Sequence, residues 1–198
     1  MPLIEWEMPL DPLELFQRWY AEAEKAGVPQ PDAVALATAG DGGASVRMVL
    51  FKGTDKGELL FYSNYNSRKG HSIEMDNRAA LVFYWSITHH QVRFSGTVRR
   101  LTRQASLAYF HSRPRGAQLS ALASRQSRVV ASRDVLEKAV RDLAARYPDE
   151  VPMPSDWGGF ALKPRWIEYW ESREDRLHDR IRYVRKKGSG WHIERLAP

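Results

Sequence analysis

Arg47–Gly70 reads RMVLFKGTDKGELLFYSNYNSRKG. Within and beside it, Val46–Phe51 and Glu58–Tyr62 are apolar runs rich in β-branched and aromatic residues, and the Gly53–Gly57 break between them carries turn residues. The spacing predicts a hairpin. Ser67 then stands where a helix cap belongs, with Arg68 and Lys69 as the first helical residues. A helix N-terminus offers free backbone N–H groups and a partial positive charge, so two added cations suit a phosphate. Arg47 and Lys52 bracket the first strand. They are five residues apart and point to opposite faces of a regular strand, so they share one ligand only where the strand bends or the ligand spans its end. The plain alternative is a hairpin carrying solvated surface charges.

Outward from this stretch, a 198-residue chain predicts a single domain, residues 1–198, with room for a real core. A net charge of +6 and a pI near 9.6 favour an anionic partner, either nucleic acid or a phosphorylated small molecule. The absence of cysteine excludes disulfides, thiolate metal sites and thiol nucleophiles. The N-terminal MPLIEWEMPL has no basic segment before an apolar core, and no apolar run approaches a bilayer span, so a cytoplasmic protein without membrane attachment is expected.

Asp11 as cap, Pro12 at the first helical position and Glu14 open a helix, and Leu13, Phe16, Trp19, Tyr20 and Ala23 form its buried stripe up to Gly27. Ala33–Ala39 and Ala79–Trp85 predict strands, and Gln91–Leu101 alternates as a half-exposed one, with Val92, Phe94, Gly96 and Val98 facing inward. Gln104–Tyr147 is helical in pattern, broken at Arg113–Gly116 and Ser124–Ser132, with Val135, Leu136, Ala139, Val140 and Leu143 on one side of its last segment. Beyond the proline-rich connector Val151–Trp157, separate short strands are expected at Gly159–Leu162, Trp166–Trp170 and Trp191–Leu196, with Arg182–Val184 as a candidate fourth. Strands flanking a helical block, without strand–helix alternation, argue for an antiparallel barrel with helices outside it.

Candidate chemistry is phosphate-oriented. Lys52, Arg68, Lys69, Arg113, Arg115, Arg176 and Arg180 lie in or beside loops, with Tyr109 and Ser120–Ser132 as neutral donors. One such cation is ordinarily just solvated, so the weight comes from their grouping with Gly, Ser and Tyr. In extended backbone Arg176, His178 and Arg180 share one face, placing two guanidinium groups about an imidazole; the alternative is a charged loop in which Asp175 and Asp179 pair with the arginines. Trp170, at a strand end before this segment, is a candidate wall for a planar ligand. The histidines show no metal-ligand spacing, and G-x-S-x-G, G-x-G-x-x-G and P-loop patterns are absent.

RMVLFK (47–52), FYSNYNSRKG (61–70), YFHSRPRG (109–116), SRQS (124–127), WGGF (157–160), RLHDR (176–180) and the terminal ERLAP (194–198) together resemble the pyridoxine/pyridoxamine 5′-phosphate oxidase family. The resemblance runs in order from about Asp11 to the C-terminus. It implies a mainly β, FMN-binding split β-barrel acting as a homodimer, with each flavin at the subunit interface. By the same resemblance, Arg47, Met48, Val49, Leu50, Phe51, Lys52, Tyr62, Ser63, Arg68 and Lys69 would hold FMN from one subunit, and Gln91, Gln126, Ser127, Trp170 and Arg180 would complete its site. Lys52, Tyr109 and Arg113 would grip the phosphate of a phosphorylated pyridine substrate, while Arg176 and His178 would be the catalytic pair over its ring. The implied reaction is hydride transfer from the 4′ carbon to flavin N5, with oxygen as the final oxidant and no metal.

Departures gather on the substrate side. Ala117 stands where the family has a phosphate-binding serine, Ser120 and Leu122 where glycine and tryptophan are usual, and Glu171-Ser172 where Gln-Gly is usual. A related branch, the flavin oxidases of phenazine biosynthesis, shares the flavin motifs but takes an unphosphorylated tricyclic substrate. Retained Lys52, Tyr109 and Arg113 favour the phosphorylated one. A non-catalytic flavin- or haem-binding module, or a basic nucleic-acid binder, is the alternative of another class, with nucleic acid disfavoured.

Overall fold

The computed structural model describes residues 3–40 and 42–198. Helix α1 (Pro12–Lys25) starts where the sequence places it, with the Asp11 carboxylate accepting from Leu13 N at 3.0 Å. Then come β1 (Ala33–Thr38), β2 (Ser45–Leu50), β3 (Thr54–Asp55), β4 (Glu58–Asn64), α2 (Arg68–Met75), β5 (Arg78–Trp85) and β6 (His90–Arg100). A helical block, α3 (Arg103–Ser112), α4 (Arg115–Ala123) and α5 (Arg133–Arg146), leads to β7 (Trp157–Glu171), β8 (Asp179–Arg185) and β9 (Trp191–Arg195). The strands form one antiparallel sheet in the order β2-β1-β5-β6-β7-β4-β3, and β8 and β9 extend it from β7. No helix among the described residues is long and apolar enough to cross a membrane.

The hairpin is corrected by this topology. Val46–Phe51 does not pair along its length with Glu58–Tyr62; β2 lies against β1 from Ala33↔Leu50 to Thr38↔Ser45, and the tight hairpin is β3–β4. The chain changes partner just after β2. Phe51 N donates to Asp32 O at 2.8 Å, then Lys52 N donates to Leu60 O and Leu60 N to Gly53 O, at 2.8 and 2.9 Å. Gly53 takes φ 95° at the change, a conformation that favours glycine. These bonds bring the two ends of the sheet together, so it curls into a barrel. An alternating apolar strand carries no label for its partner, which is why local pattern suggested the wrong pairing.

The other correction is β7. The expected runs 159–162 and 166–170 are parts of one 15-residue strand that carries Pro164 inside it. Proline is tolerated there because the register with β6 slips at that point, Gly96 facing Pro164 and Ser95 facing Trp166, which leaves Arg165 as the extra residue. On the other edge β7 pairs with β4 only as far as Leu162 and with β8 only from Trp166, so the missing N–H falls between partners.

The barrel interior is aromatic. Phe16 of α1 packs among Phe51, Phe83, Trp85 and Phe94, and Trp19 stacks on His90 at 3.8 Å between ring centres. A second, smaller core joins Phe110, Leu119, Val151, Met153 and Trp157 beneath the helical block. The apolar side of α5 contributes little to it: Val140, Leu143 and Ala144 are half-buried against this core, Val135 stays exposed, and no α5 residue is fully buried.

Candidate functional site

A cavity of about 560 Å³ opens where β2, β4, α2, α3 and α4 meet. Met48 and Leu50 enter it from the exposed face of β2, with Val49 also on its wall, and Lys52 follows at the point where the chain changes partner. Tyr62 and Ser63 come from β4, Lys69 from α2, Tyr109 from α3, Gln126 from the loop after α4, and Arg113 from the α3–α4 connection. Among the described residues, none of the acidic ones lines it. Ten of the residues singled out from sequence therefore share one space.

Helix α2 shapes one end. Ser67 Oγ caps it by accepting from Gly70 N, and a Cβ on Gly70 would overlap the Tyr65 carbonyl, so glycine is required for this close approach. Lys69 turns inward and donates to Ser63 Oγ at 3.0 Å, Gln126 Oε1 at 2.9 Å and Ser67 Oγ at 3.3 Å. Burial pushes the Lys69 ammonium down to about 8, with nearby Arg47 adding to the shift. Arg47, on the opposite face of β2 from Met48 and Leu50, donates to Leu36 O and Thr38 Oγ1 at 3.0 and 2.8 Å. Arg68 is exposed, and its backbone N–H donates to Ser127 Oγ at 3.2 Å. The Arg47 and Lys52 side chains thus leave the strand region on different sides, as their spacing requires.

The other end is walled by rings. Tyr62 stacks on Tyr109 at 3.7 Å and 20°, and both lie near parallel to Trp157. The Arg113 guanidinium sits 4.8 Å from the Trp157 ring centre, and burial lowers its pKa. Its Nη1 is buried with no hydrogen-bond partner among the described residues. Lys52 Nζ donates to Asp32 Oδ2 at 2.8 Å. Trp157 and Asp32 escaped the sequence reading as site residues. The only signal for Trp157 was its place at the head of WGGF, and for Asp32 there was none.

Gln91, Trp170, Arg176, His178 and Arg180 do not line this cavity. Gln91, Trp170 and Arg180 are cross-strand neighbours on β6, β7 and β8, forming one row on the outer face of the sheet. His178 packs its ring 4.7 Å from that of Trp170 and accepts at Nδ1 from Arg173 N at 3.1 Å. Arg180 donates to Glu168 Oε1 at 3.0 and 2.9 Å and to Ala197 O. The expected extended face through Arg176, His178 and Arg180 is not formed. Asp175 and Arg176 both take left-handed φ, 54° and 60°, in a single 3₁₀ turn (Glu174–Arg176), and regular strand resumes at Asp179. Nor does Asp179 pair with Arg176 or Arg180; its carboxylate meets Arg173 at 2.8 Å and Arg195 at 2.7 Å.

A curled antiparallel barrel with a cationic, ring-walled cavity at its rim is the architecture of the split-barrel oxidases. The family described as Pyridoxamine 5′-phosphate oxidase matches residues 20–170, and the Pyridoxine 5′-phosphate oxidase C-terminal dimerisation region matches residues 157–198. Proteins named pyridoxine/pyridoxamine 5′-phosphate oxidase are similar over most of their length. The one from Salinibacter ruber is 50% identical, covering 95% of this chain and 89% of the relative, and the one from Cupriavidus metallidurans is 45% identical, covering 99% and 93%. The crystal structure of PhzG from Burkholderia lata 383, in complex with tetrahydrophenazine-1-carboxylic acid, has a TM-score of 0.91 at 32% identity, covering 97% of this chain and 95% of that one. The chain belongs to the pyridoxamine 5′-phosphate oxidase family and is an oxidoreductase.

Proposed function

We propose that the protein is an FMN-dependent oxidase that converts pyridoxamine or pyridoxine 5′-phosphate to pyridoxal 5′-phosphate. The observation that carries this reading is the half-buried Arg113, whose Nη1 is buried without a partner among the described residues, on the wall of a cavity that Lys52 and Lys69 also line and that stacked rings wall. A buried polar group left unpaired is costly, so the site suits a planar ligand bearing an anion.

The residues present fit a flavin mononucleotide. Arg47, Arg68, Lys69 and the start of α2 would take its phosphate, and Met48–Phe51 with Tyr62, Ser63, Gln126 and Ser127 would hold the rest of it. Bound FMN supplies the acceptor for the hydride that leaves the substrate's 4′ carbon and returns the electrons to oxygen as hydrogen peroxide. Arg113, Lys52 and Tyr109 would grip the substrate phosphate, with Tyr109 kept upright by its stack on Tyr62. Arg176 and His178 would lie over the pyridine ring. Because His178 Nδ1 is occupied by Arg173 N–H, its Nε2 is the atom left to meet the substrate.

The match to the C-terminal dimerisation region supports a homodimer, and the sheet's outer face suits one. Val46, Met48 and Leu50 of β2 are exposed, and the small residues Ala33, Ala35 and Ala37 of β1 and Ala80 and Val82 of β5 continue the same face by register. The Gln91–Trp170–Arg180 row lies on that face toward its other end. A two-fold contact uses the same patch on both chains, and in this reading the β2 end of one protomer would lie against the Trp170 end of its partner. Each complete site would then take Gln91, Trp170, Arg180, Arg176 and His178 from the partner.

The test is reconstitution with FMN followed by incubation with pyridoxamine 5′-phosphate, monitoring peroxide and aldehyde. Turnover is expected; a colourless protein that FMN cannot reconstitute overturns the reading. A second reading, oxidation of a phenazine-type precursor, is favoured by the PhzG likeness and by Ala117 and Ser120 on the cavity wall. Turnover of a dihydro- or tetrahydrophenazine acid without turnover of the phosphorylated pyridine would establish it instead.

A further inference from the structure

Three cationic side chains line the cavity, Lys52, Lys69 and Arg113, and among the described residues only one of them is paired with a carboxylate. Lys69 is held by neutral oxygens of Ser63, Ser67 and Gln126. Arg113 has a bare Nη1. Lys52 alone has a counter-ion, Asp32 Oδ2 at 2.8 Å. Asp32 is set in place independently of that bond, since its backbone oxygen accepts from Phe51 N, one residue before Lys52. Main chain and side chain thus fix a negative charge beside Lys52 on the cavity wall.

We propose that Asp32 is a positioning residue that sets how strongly this cavity holds phosphorylated ligands, an inference that rests on the oxidase reading above. An ammonium has three donors, so Lys52 can keep Asp32 and still meet a phosphate. The phosphate then approaches a nearly neutral ion pair on one side and the uncompensated Arg113 on the other. Arg113 becomes the anchor, and Lys52 steers. The arrangement suits an oxidase whose substrate and product carry the same phosphate. Gripping that phosphate harder binds both equally, which lowers KM without accelerating the chemistry and retains the product.

Removing the Asp32 charge should therefore strengthen the cavity's hold on a phosphate. In the FMN-loaded protein, Asp32→Asn should tighten binding of pyridoxal 5′-phosphate, and competition by inorganic phosphate, by roughly three- to tenfold, because the Lys52 ammonium no longer shares its charge and one of its donors with a carboxylate. Binding of unphosphorylated pyridoxal should not change. In a Lys52→Met background the same substitution should have no effect on any of the three ligands. Both partners of the ion pair are about a quarter exposed, so the variant should fold, and Asp32→Ser provides a second one. Equilibrium titration by flavin fluorescence reads all of these without turnover. Unchanged or weaker phosphate binding in both variants overturns the proposal, as does tightening that extends to pyridoxal or survives Lys52→Met. If the wild-type protein binds neither pyridoxal 5′-phosphate nor phosphate, the oxidase reading fails and takes this inference with it.

Discussion

The cavity and the Trp170 row are built on opposite electrostatic plans. In the cavity, two of the three lining cations have no carboxylate partner among the described residues: Lys69 is buried among neutral oxygens and Arg113 has a buried, unpartnered Nη1. In the row, charges are satisfied within the chain. Arg180 and Arg93 share Glu168, whose side chain is only 4% exposed, and Arg173 is engaged by Glu171 and Asp179. What the row offers outward is flat surface, the Trp170 and His178 rings. One region is therefore made to receive charge and the other to cover a plane. In the proposed dimer the two would meet across the two-fold axis.

The sharpest way to break that comparison is to mix two impaired variants. If Arg113 of one chain works with Arg176 of its partner, co-refolded Arg113→Ala and Arg176→Ala proteins should recover about a quarter of the wild-type activity, since half the dimers are mixed and each carries one intact site. Activity that stays at the level of either variant places both arginines in a site within one chain.

Next come the single variants. Arg176→Ala should lower kcat/KM by about 10- to 150-fold, roughly 1.5–3 kcal/mol for one charge-assisted contact, with FMN affinity nearly unchanged. Arg68→Ala should do the reverse, weakening FMN binding while excess FMN restores activity. If Arg176→Ala strips the flavin, the division of labour between the two regions is wrong.

A smaller effect should appear with pH. Lys69 titrates near 8 in the free protein, and an anion binds its protonated form. Above that pH a proton must be taken up for FMN to bind, so its Kd should rise by up to about tenfold per pH unit between pH 8 and the ordinary lysine range. Fluorescence titration across that interval tests it, and Lys69→Arg should flatten the dependence. The smallest change belongs to the row: Glu168→Gln leaves two arginines with a weaker partner. Because both arginines are partly exposed, it should cost about 1–2 kcal/mol, a fall of roughly 2–8 °C in Tm by calorimetry.

Much of this was legible in the chain. Periodicity and caps located α1, α2 and β6, because Asp11, Ser67 and the Val92–Val98 alternation are local signals. Pairing was not local. Nothing in Val46–Phe51 distinguishes β1 from β4 as its neighbour, and Pro164 looks like a strand break until β4 and β8 are known to divide one edge of β7. For the site, the motifs supplied the residues, and ten of them do share the cavity. The bend at Asp175 and Arg176 was invisible, since left-handed φ at non-glycine residues has no sequence mark. Asp32 was invisible for a similar reason: its importance comes from a contact with Lys52, twenty positions away.

The long strand β7 also governs when the protein can exist. It lies between β4 and β6, which leave the ribosome far ahead of Trp157, so until the last fifth of the chain is made the sheet has a gap at its centre and two open edges facing it. Those edges are templates for the wrong partners, including the same strands of neighbouring nascent chains. Synthesis that stalls within the helical block should leave an aggregation-prone stub, and one that passes Glu171 should close the sheet in a single late event. A protein with this strand order is thus guarded less by its earlier strands, which shape one end of the cavity, than by the speed with which β7 arrives.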